Sequence, residues 1–153
     1  MRALTTLTLS LAFGVAALAP LAANGSGRTV RLVGNDALTY SLPTITAKPG
    51  ELLTVVLRTM SVQPAHQLAH NFVLLKPTAK VDAFIMAAAM ARSENYLPAA
   101  QKAQVIVATD MAPAGATVTA TFKAPTQPGR YPYVCTYPGH YSGGMKGTLV
   151  VQP

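Results

Sequence analysis

The chain has little of several residue types on which other protein classes depend. Its 153 residues include one cysteine, three histidines and five acidic residues. A single cysteine excludes a disulfide within the chain, and a lone thiol in an exported protein is a candidate for reactivity or metal binding. Neither paired carboxylates nor another catalytic group of residues is evident, so we expect a protein that is not an enzyme.

The shortage of acidic residues leaves the chain basic. Twelve Lys and Arg residues against five Asp and Glu residues give a formal net charge of +7. This balance favours an anionic partner or surface through long-range electrostatic steering. The basic residues are scattered along the chain without a dense cluster, so the charge does not indicate nucleic-acid binding.

The N-terminus has the parts of a secretory signal. A basic residue at position 2 precedes an apolar run, residues 7–21, that is short for a membrane span. Small residues at the end of this run favour cleavage after Ala23. We therefore predict a signal peptide over residues 1–23 and an exported, periplasmic domain over residues 24–153, with no stable membrane insertion after cleavage.

Most of the mature chain predicts short β-strands separated by turns rich in proline and glycine. Residues 117–122 alternate between threonine and an apolar residue, which is typical of a strand with one buried face. Further strands are predicted over residues 29–33, 38–42, 44–47, 51–58, 70–75, 104–108, 131–134 and 147–151. Many short strands of this kind predict an all-β, Greek-key β-sandwich.

One segment has helical rather than strand periodicity. Residues 79–92 are rich in alanine and methionine and carry apolar residues at helical spacing, with Thr78 as a candidate N-cap. Met86 and Met90 lie one helical turn apart. We interpret them as a core-packing stripe rather than as a pair of metal ligands.

A group of metal-binding residue types near the C-terminus carries the strongest functional signal. Cys135, His140 and Met145 are separated by four residues in each interval, with one proline and three glycines between them that permit tight turns. Each has an ordinary structural interpretation when it is taken alone. A thiolate, an imidazole and a thioether on one loop, however, suit copper that cycles between two oxidation states.

A His₂Cys copper centre needs a second imidazole, and two histidines remain. His70 begins an apolar, strand-like run, residues 70–75, whereas His66 follows a proline in an irregular loop. A metal ligand must be held rigidly, so His70 is the better candidate and His66 is expected at the surface.

These motifs resemble the azurin branch of the blue copper proteins, the cupredoxins of the plastocyanin/azurin family. The similarity rests on residues 34–36, 70–74, 90–97, 135–140 and 145–149. It implies a cupredoxin-like β-sandwich with one helical insert at about residues 79–93. It also implies one copper ion bound by His70, Cys135, His140 and Met145, and hydrogen bonds between Asn71 and Thr136 that join the two ligand-bearing segments.

The sequence departs from azurins at three points. Four residues separate His140 from Met145, where azurins have three. We expect Met145 to bind nevertheless, because two glycines give the loop freedom to bend back. Ala69 stands where azurins have a glycine whose carbonyl approaches copper, so we do not count that carbonyl as a ligand. The azurin disulfide cannot form in a chain with one cysteine.

The resemblance implies a soluble, monomeric one-electron carrier with a single blue (type 1) copper site. Its partners would be redox proteins, for example a cytochrome or a copper or haem reductase, that dock near His140. We name the uncharged residues around this histidine the collar: Tyr137, Pro138, Gly139, Tyr141, Gly143 and Gly144. Leu68 is expected across from the collar.

A second function, from a different class, is a periplasmic protein that binds or delivers copper without carrying electrons. Delivery sites display exchangeable metal on flexible segments, often through methionine or histidine. The chain spreads such residues without a tight cluster, at Met60, His66, Met86, Met90 and Met111. This dispersion favours the electron carrier.

Overall fold

A computed structural model describes residues 27–64 and 67–153. The predicted signal peptide and His66 lie outside these residues. The strands are β1 Arg28–Asn35, β2 Thr44–Ala47, β3 Leu52–Met60, β4 Ala69–His70, β5 Val73–Leu75, β6 Val105–Ala108, β7 Ala112–Pro113, β8 Thr117–Lys123, β9 Gly129–Val134 and β10 Lys146–Val151. Neither described range contains a helix with the length and apolar character needed to cross a membrane.

The strands form two main sheets and one short pair. One sheet has the order β1-β3-β8 and the other the order β2-β10-β9-β5-β6, while β4 pairs with β7 alone. The β1–β3 and β2–β10 pairs are parallel, and the remaining pairs are antiparallel. Because successive strands alternate repeatedly between the sheets, the chain forms the predicted Greek-key sandwich.

The core lies between the sheets and follows the alternation of the strands. In β3 the inward residues Leu53, Val55 and Leu57 are fully buried, and from the other sheet Tyr133 and Leu149 meet them in the same cluster. Each such side chain stabilises the fold by about 1.5–3 kcal/mol relative to an exposed one. This burial explains how the sandwich can hold together without a disulfide.

The predicted helix is shorter than the sequence pattern suggested. Helix α1 spans Val81–Met90 and is followed by 3₁₀ turns at Arg92–Glu94 and Ala99–Gln104; we name residues 81–104 the helical insert. Lys80 occupies the N-cap position and no side chain caps the helix, so the prediction that Thr78 is the cap is wrong. Thr78 instead lies in a turn that the Ala79 N–H closes by donating to the Lys76 carbonyl.

The interpretation of the two helix methionines as core residues is also wrong. Phe84 and Ala88, one turn apart, form the buried side of α1. Met86 and Met90 project from the opposite side and are 73% and 86% exposed. Periodicity detected the helix, but it did not identify which of two apolar stripes faces the sandwich.

Two predicted strands are interrupted. Residues 38–42 form a single bridge, between Gly34 and Tyr40, because the Asn35 side chain accepts hydrogen bonds from the N–H groups of Ala37 and Thr39 and holds a turn. The run 70–75 is broken after His70, since the Phe72 N–H donates to Thr109 Oγ1 rather than to a neighbouring strand.

Pro132 lies inside β9, although proline cannot donate a ladder hydrogen bond. It pairs with Thr148 of β10 on one side. On the other side, pairing with β5 reaches only Val134 and Tyr133. The proline is therefore tolerated because it lies beyond the end of β5, at an edge of the ladder.

Candidate metal centre

Three donor atoms converge at one end of the sandwich. His70 ends β4, Cys135 follows β9, and His140 lies in the turn between β9 and β10. The two histidine Nδ1 atoms are 3.1 Å apart, and Cys135 Sγ lies 3.9 Å from His70 Nδ1 and 3.5 Å from His140 Nδ1. The three donors, from segments 65 residues apart, therefore surround one point.

Met145 is buried beside this group. Its N–H donates to the His140 carbonyl over 2.9 Å and its own carbonyl accepts from the Cys135 N–H over 3.1 Å, so the loop 135–145 is closed on itself. A Cβ added to Gly34 would lie 2.7 Å from both Met145 Cε and His70 Cδ2. The methionine methyl and the imidazole thus converge on Gly34, at a point where only glycine fits.

His70 is held from several directions by the sandwich. Strand β4 pairs with β7, and the adjoining Asn71 makes two hydrogen bonds to Thr136: the Asn71 amide donates to Oγ1 over 2.8 Å and accepts from the N–H over 2.9 Å. The Tyr40 hydroxyl donates to the Asn71 carbonyl over 2.5 Å. The expected connection between Asn71 and Thr136 is therefore present, and it joins the segments that carry His70 and Cys135.

Burial controls the protonation of all three donors in the metal-free site. Desolvation, together with the nearby His140, lowers the pKa of His70 to about 4, and desolvation lowers the pKa of His140 to about 4. Both imidazoles are neutral at pH 7 and keep a lone pair free for a metal. Desolvation raises the pKa of Cys135 to about 11 against the opposing backbone N–H groups of Asn71 and Tyr137.

These residues fit a copper ion. Two imidazoles and a thiolate with a neighbouring thioether form the donor set of a blue copper site. Nitrogen and sulfur donors about 2.0–2.3 Å from a shared ion are spaced roughly as observed here. A buried thiol with a raised pKa also needs a cation to stabilise its thiolate, so metal binding would release its proton.

The residues of the collar carry no formal charge, and at its margin Tyr141 donates a hydrogen bond to the Asp82 carboxylate. Tyr137 and Tyr141 are half-buried, and the proline and glycines of the collar are exposed. His140 itself is 6% exposed, so only a small edge reaches solvent. The nearest cation along the chain, Lys146, holds its Nζ 4.8 Å from the centre of the Tyr141 ring.

A leucine that the sequence did not single out borders the collar. A Cβ on Gly143 would lie 2.6 Å from Leu38 Cδ1, so Leu38 packs directly against this glycine. Leu68, expected in that role, is 8% exposed and packs largely within the protein. Leu38 has a left-handed φ of 55°. No pattern in the neighbouring sequence indicated that it would lie beside the collar.

The sequence did not indicate the roles of three further residues. Thr109 accepts the Phe72 N–H and thereby stops the strand after His70. Tyr96 contacts the collar from the helical insert, with its ring centroid 5.4 Å from that of Tyr137. Gly34 belonged to a recognised motif, but its close approach to the site was not apparent. All three depend on contacts between distant parts of the chain.

The fold and the site together define a class of protein. A Greek-key sandwich that gathers two imidazoles, one cysteine sulfur and a buried methionine at one end is a cupredoxin. A sequence profile of copper binding proteins of the plastocyanin/azurin family matches residues 28–152. The chain therefore belongs to this family, and its cofactor is copper.

Among relatives, auracyanins are similar in sequence. The chain is 33% identical to auracyanin-A of Chloroflexus aurantiacus over 132 residues, 84% of this chain and 77% of the relative. It is 40% identical to auracyanin-B of the same organism over 85 residues, 55% of this chain. That second match spans about a third of auracyanin-B, 36% of its length.

A solved auracyanin also has the same fold. The crystal structure of dithionite-reduced auracyanin from the photosynthetic bacterium Roseiflexus castenholzii shares 35% sequence identity and superposes with a TM-score of 0.73. The superposition covers 84% of this chain and 100% of that one. These comparisons support a blue copper electron carrier with the cupredoxin fold.

Proposed function

We propose that the protein is an exported, periplasmic carrier of single electrons with one type 1 copper site. Its ligands are His70, Cys135, His140 and Met145. The observation that carries this assignment is the convergence of Cys135 Sγ and the two Nδ1 atoms within 3.9 Å of one another. Copper, when bound, supplies the one-electron couple.

The protein residues supply a rigid and dry site. Cys135, His70 and Met145 are fully buried, so water has little access to the donors from the core side. The Asn71 side chain and the closed loop 135–145 hold the donors in place before a metal arrives. Rigid placement limits rearrangement between oxidation states, which suits electron transfer more than substrate chemistry.

The route to a partner runs over His140. This imidazole lies under the collar, and the collar carries no formal charge, so a partner can approach closely without desolvating ions. Weak redox encounters use small contact areas, as the narrow exposed edge of His140 would provide. Basic residues outside the collar, including Lys146, steer an anionic partner, and the association rate should fall with salt.

The proposal is tested by the spectrum of the copper-loaded protein. We expect an intense visible band in the oxidised form that disappears on reduction and returns on reoxidation over repeated cycles. A colourless oxidised protein, or a band insensitive to reductant, would contradict a type 1 site. Mass analysis of the protein recovered from the periplasm of its host tests the export step, for which we expect a mature chain that begins at Asn24.

A second candidate, copper delivery, is favoured by one observation. Met86 and Met90 expose their side chains on the same side of α1, where they could display a soft metal. Competition with a Cu(I) chelator separates the two functions. A carrier should retain its metal with an unchanged release rate in the double variant Met86→Ala, Met90→Ala. Rapid release by the wild type that slows in this variant would instead support delivery.

A further inference from the structure

The helical insert touches the loop 135–145 at two separate places. One contact joins the rings of Tyr96 and Tyr137, and the other joins Asp82 to Tyr141. Tyr137 precedes His140 by three residues and Tyr141 follows it directly. The insert therefore contacts the loop on both sides of the histidine that lies nearest the surface.

The first contact involves three aromatic rings, those of His140, Tyr137 and Tyr96. The Tyr137 ring lies 4.7 Å from the His140 imidazole, centroid to centroid, at an interplanar angle of 41°. The Tyr137 ring also meets Tyr96, with the ring centroids 5.4 Å apart and an interplanar angle of 58°. Tyr137 thus contacts both the imidazole and a ring of the insert, and aromatic pairs at these separations attract one another.

The backbone that presents Tyr96 is unusual. Asn95 and Tyr96 are consecutive non-glycine residues with left-handed φ values of 55° and 59°. This region is disfavoured for residues with a Cβ, and such strain persists only where surrounding contacts require it. The Tyr96 N–H donates to the Ala91 carbonyl over 2.9 Å, which fixes the turn to the end of α1. The strained turn aims the Tyr96 ring at Tyr137.

The second contact anchors the other side of the loop. The Tyr141 hydroxyl donates to Asp82 Oδ1 over 3.1 Å. The ring of Tyr141 packs against the small apolar cluster that contains Phe84 of α1, and Lys146 Nζ lies over the ring. A hydrogen bond, apolar packing and a cation–π contact therefore all restrain the residue beside His140.

The loop needs such support because its own backbone is permissive. It contains three glycines, at 139, 143 and 144, and glycine loses more conformational freedom on folding than any other residue. Its internal backbone hydrogen bonds, such as Gly143 N–H to the Gly139 carbonyl, close turns without involving the His140 side chain. Strand pairing and Asn71 restrain His70, whereas no strand contains His140.

We propose that the helical insert braces His140, with Tyr96 and Asp82 as positioning residues that act through Tyr137 and Tyr141. The inference rests on the proposed function in treating His140 as the copper ligand at the exit of the site. The brace holds the imidazole ready in the metal-free protein. In the loaded protein it slows the dissociation of this ligand and hence the loss of copper.

The test compares truncating and conservative variants at both contacts. Tyr96→Ala removes the ring and Tyr96→Phe keeps it; Asp82→Ala removes the acceptor and Asp82→Asn keeps an acceptor oxygen. The first readout is NMR relaxation of the two imidazoles in the metal-free protein, where His70 serves as an internal control. The second is the rate at which copper is lost to an excess of chelator.

We expect both alanine variants to increase the mobility of His140 and leave that of His70 unchanged. Copper release should accelerate by roughly 2- to 10-fold for Tyr96→Ala, the range expected for one lost aromatic contact. Tyr96→Phe and Asp82→Asn should stay close to the wild type. Because the brace consists of two separate contacts, the double alanine variant should release copper faster than either single one.

Unchanged His140 mobility in both alanine variants would overturn the brace, even in a protein with full blue colour. A colourless wild type would instead overturn the proposed function, while the mobility of His140 in the metal-free protein would still report on the brace. Equal loosening of His70 and His140 would show general destabilisation and also count against it. If Tyr96→Ala does not fold, the exposed Asp82 still provides the same comparison.

Discussion

The two histidines of the centre have similarly lowered pKa values, but different parts of the fold hold them in place. His70 is fully buried and is placed by the sandwich itself, through β4, the Asn71 hydrogen bonds and the contact with Gly34. His140 lies on a glycine-rich loop, keeps a 6% exposed edge and contacts the Tyr137 ring. One ligand candidate belongs to the scaffold and the other to the surface.

The contrast between the two histidines explains how a single site can be both rigid and accessible. The side of the site that contains His70 is enclosed by core residues, so any change there must move packed atoms. The side that contains His140 meets solvent through an uncharged collar and is restrained by contacts that span the loop. Variants that change only the His70 side or only the His140 side therefore test whether the two sides differ in this way.

The largest effect should come from removing Cys135, the sulfur donor that lies close to both histidines. Cys135→Ser takes away the thiolate on which the visible charge-transfer band depends. We expect the colour to disappear completely while the far-ultraviolet circular dichroism of the sandwich remains, because the apolar strands hold the fold. Ser142→Ala, an exposed change in the same loop, is the control and should keep both signals. Strong visible absorption in Cys135→Ser would refute the assignment.

The two histidines should differ in chemical rescue. His140→Gly opens a gap at the surface that added imidazole can enter, whereas His70→Gly leaves a cavity enclosed by the core. With copper and millimolar imidazole, we expect the visible band to return in His140→Gly and to stay absent in His70→Gly. Rescue of both variants at the same imidazole concentration would remove the distinction between a scaffold ligand and a surface ligand.

Acidification should destabilise the metal-free protein through both histidines. The folded pKa values are about 4, below the ordinary value of 6.5, so the unfolded chain binds protons first as the pH falls. Stability should therefore be full above about pH 6.5 and decline down to about pH 4, by up to roughly 3 kcal/mol for each imidazole. Urea unfolding at pH 7, 5.5 and 4 measures this change.

Replacing either histidine should flatten that pH profile. His140→Gln and His70→Gln each remove one group that the unfolded chain protonates more readily than the folded protein does. Each variant should lose about half of the wild-type slope between pH 6.5 and 4. A wild-type profile that is flat over this interval would show that the imidazoles are not held neutral by burial.

Replacement of Gly34 or Gly143 by alanine should have smaller effects on stability, and the two effects should differ. In Gly34→Ala the new Cβ would lie 2.7 Å from His70 Cδ2 and Met145 Cε, inside the enclosed side of the site. We expect a cost of about 1–3 kcal/mol in the free energy of unfolding, as for other overpacked sites, and a changed copper spectrum. Gly143→Ala meets the flexible end of Leu38 and should cost less. Equal costs in urea unfolding would contradict this difference.

The smallest effect on the protein itself should come from a charge beside the collar. Ser142→Glu places a carboxylate at an exposed position near the edge of His140, and Ser142→Gln is the uncharged control of matched size. We expect the glutamate to slow electron self-exchange several-fold, while the unfolding midpoint and the reduction potential hardly change. Equal self-exchange rates in the two variants would place the docking surface elsewhere.

Much of the fold followed from local patterns. Period-2 alternation located most strands of the sandwich, and helical spacing located α1 to within a few residues. The interruption after His70 and the bend over residues 38–42 were missed. In both places a side chain, Thr109 or Asn35, accepts a hydrogen bond from a backbone N–H that could otherwise have bonded to a neighbouring strand. This competition between side chain and strand does not change the spacing of apolar residues, so the sequence pattern does not indicate it.

The donor set and its chemistry could be read from the amino-acid sequence alone. One cysteine, with a histidine and a methionine at fixed spacing and a second histidine before an apolar run, limits the metal and the family because few sites use these donors together. The sequence also shows that the core must stabilise the sandwich without a disulfide, since one thiol cannot pair with itself.

The residues that surround those donors became apparent only from the folded chain. That Met86 and Met90 face solvent, that Leu38 packs against the collar, and that Tyr96 reaches Tyr137 depend on elements far apart in sequence. Local periodicity shows that a segment has an apolar side, but not which side another segment will cover. Packing between distant segments makes that choice, because each apolar face is buried only by what the whole fold brings against it.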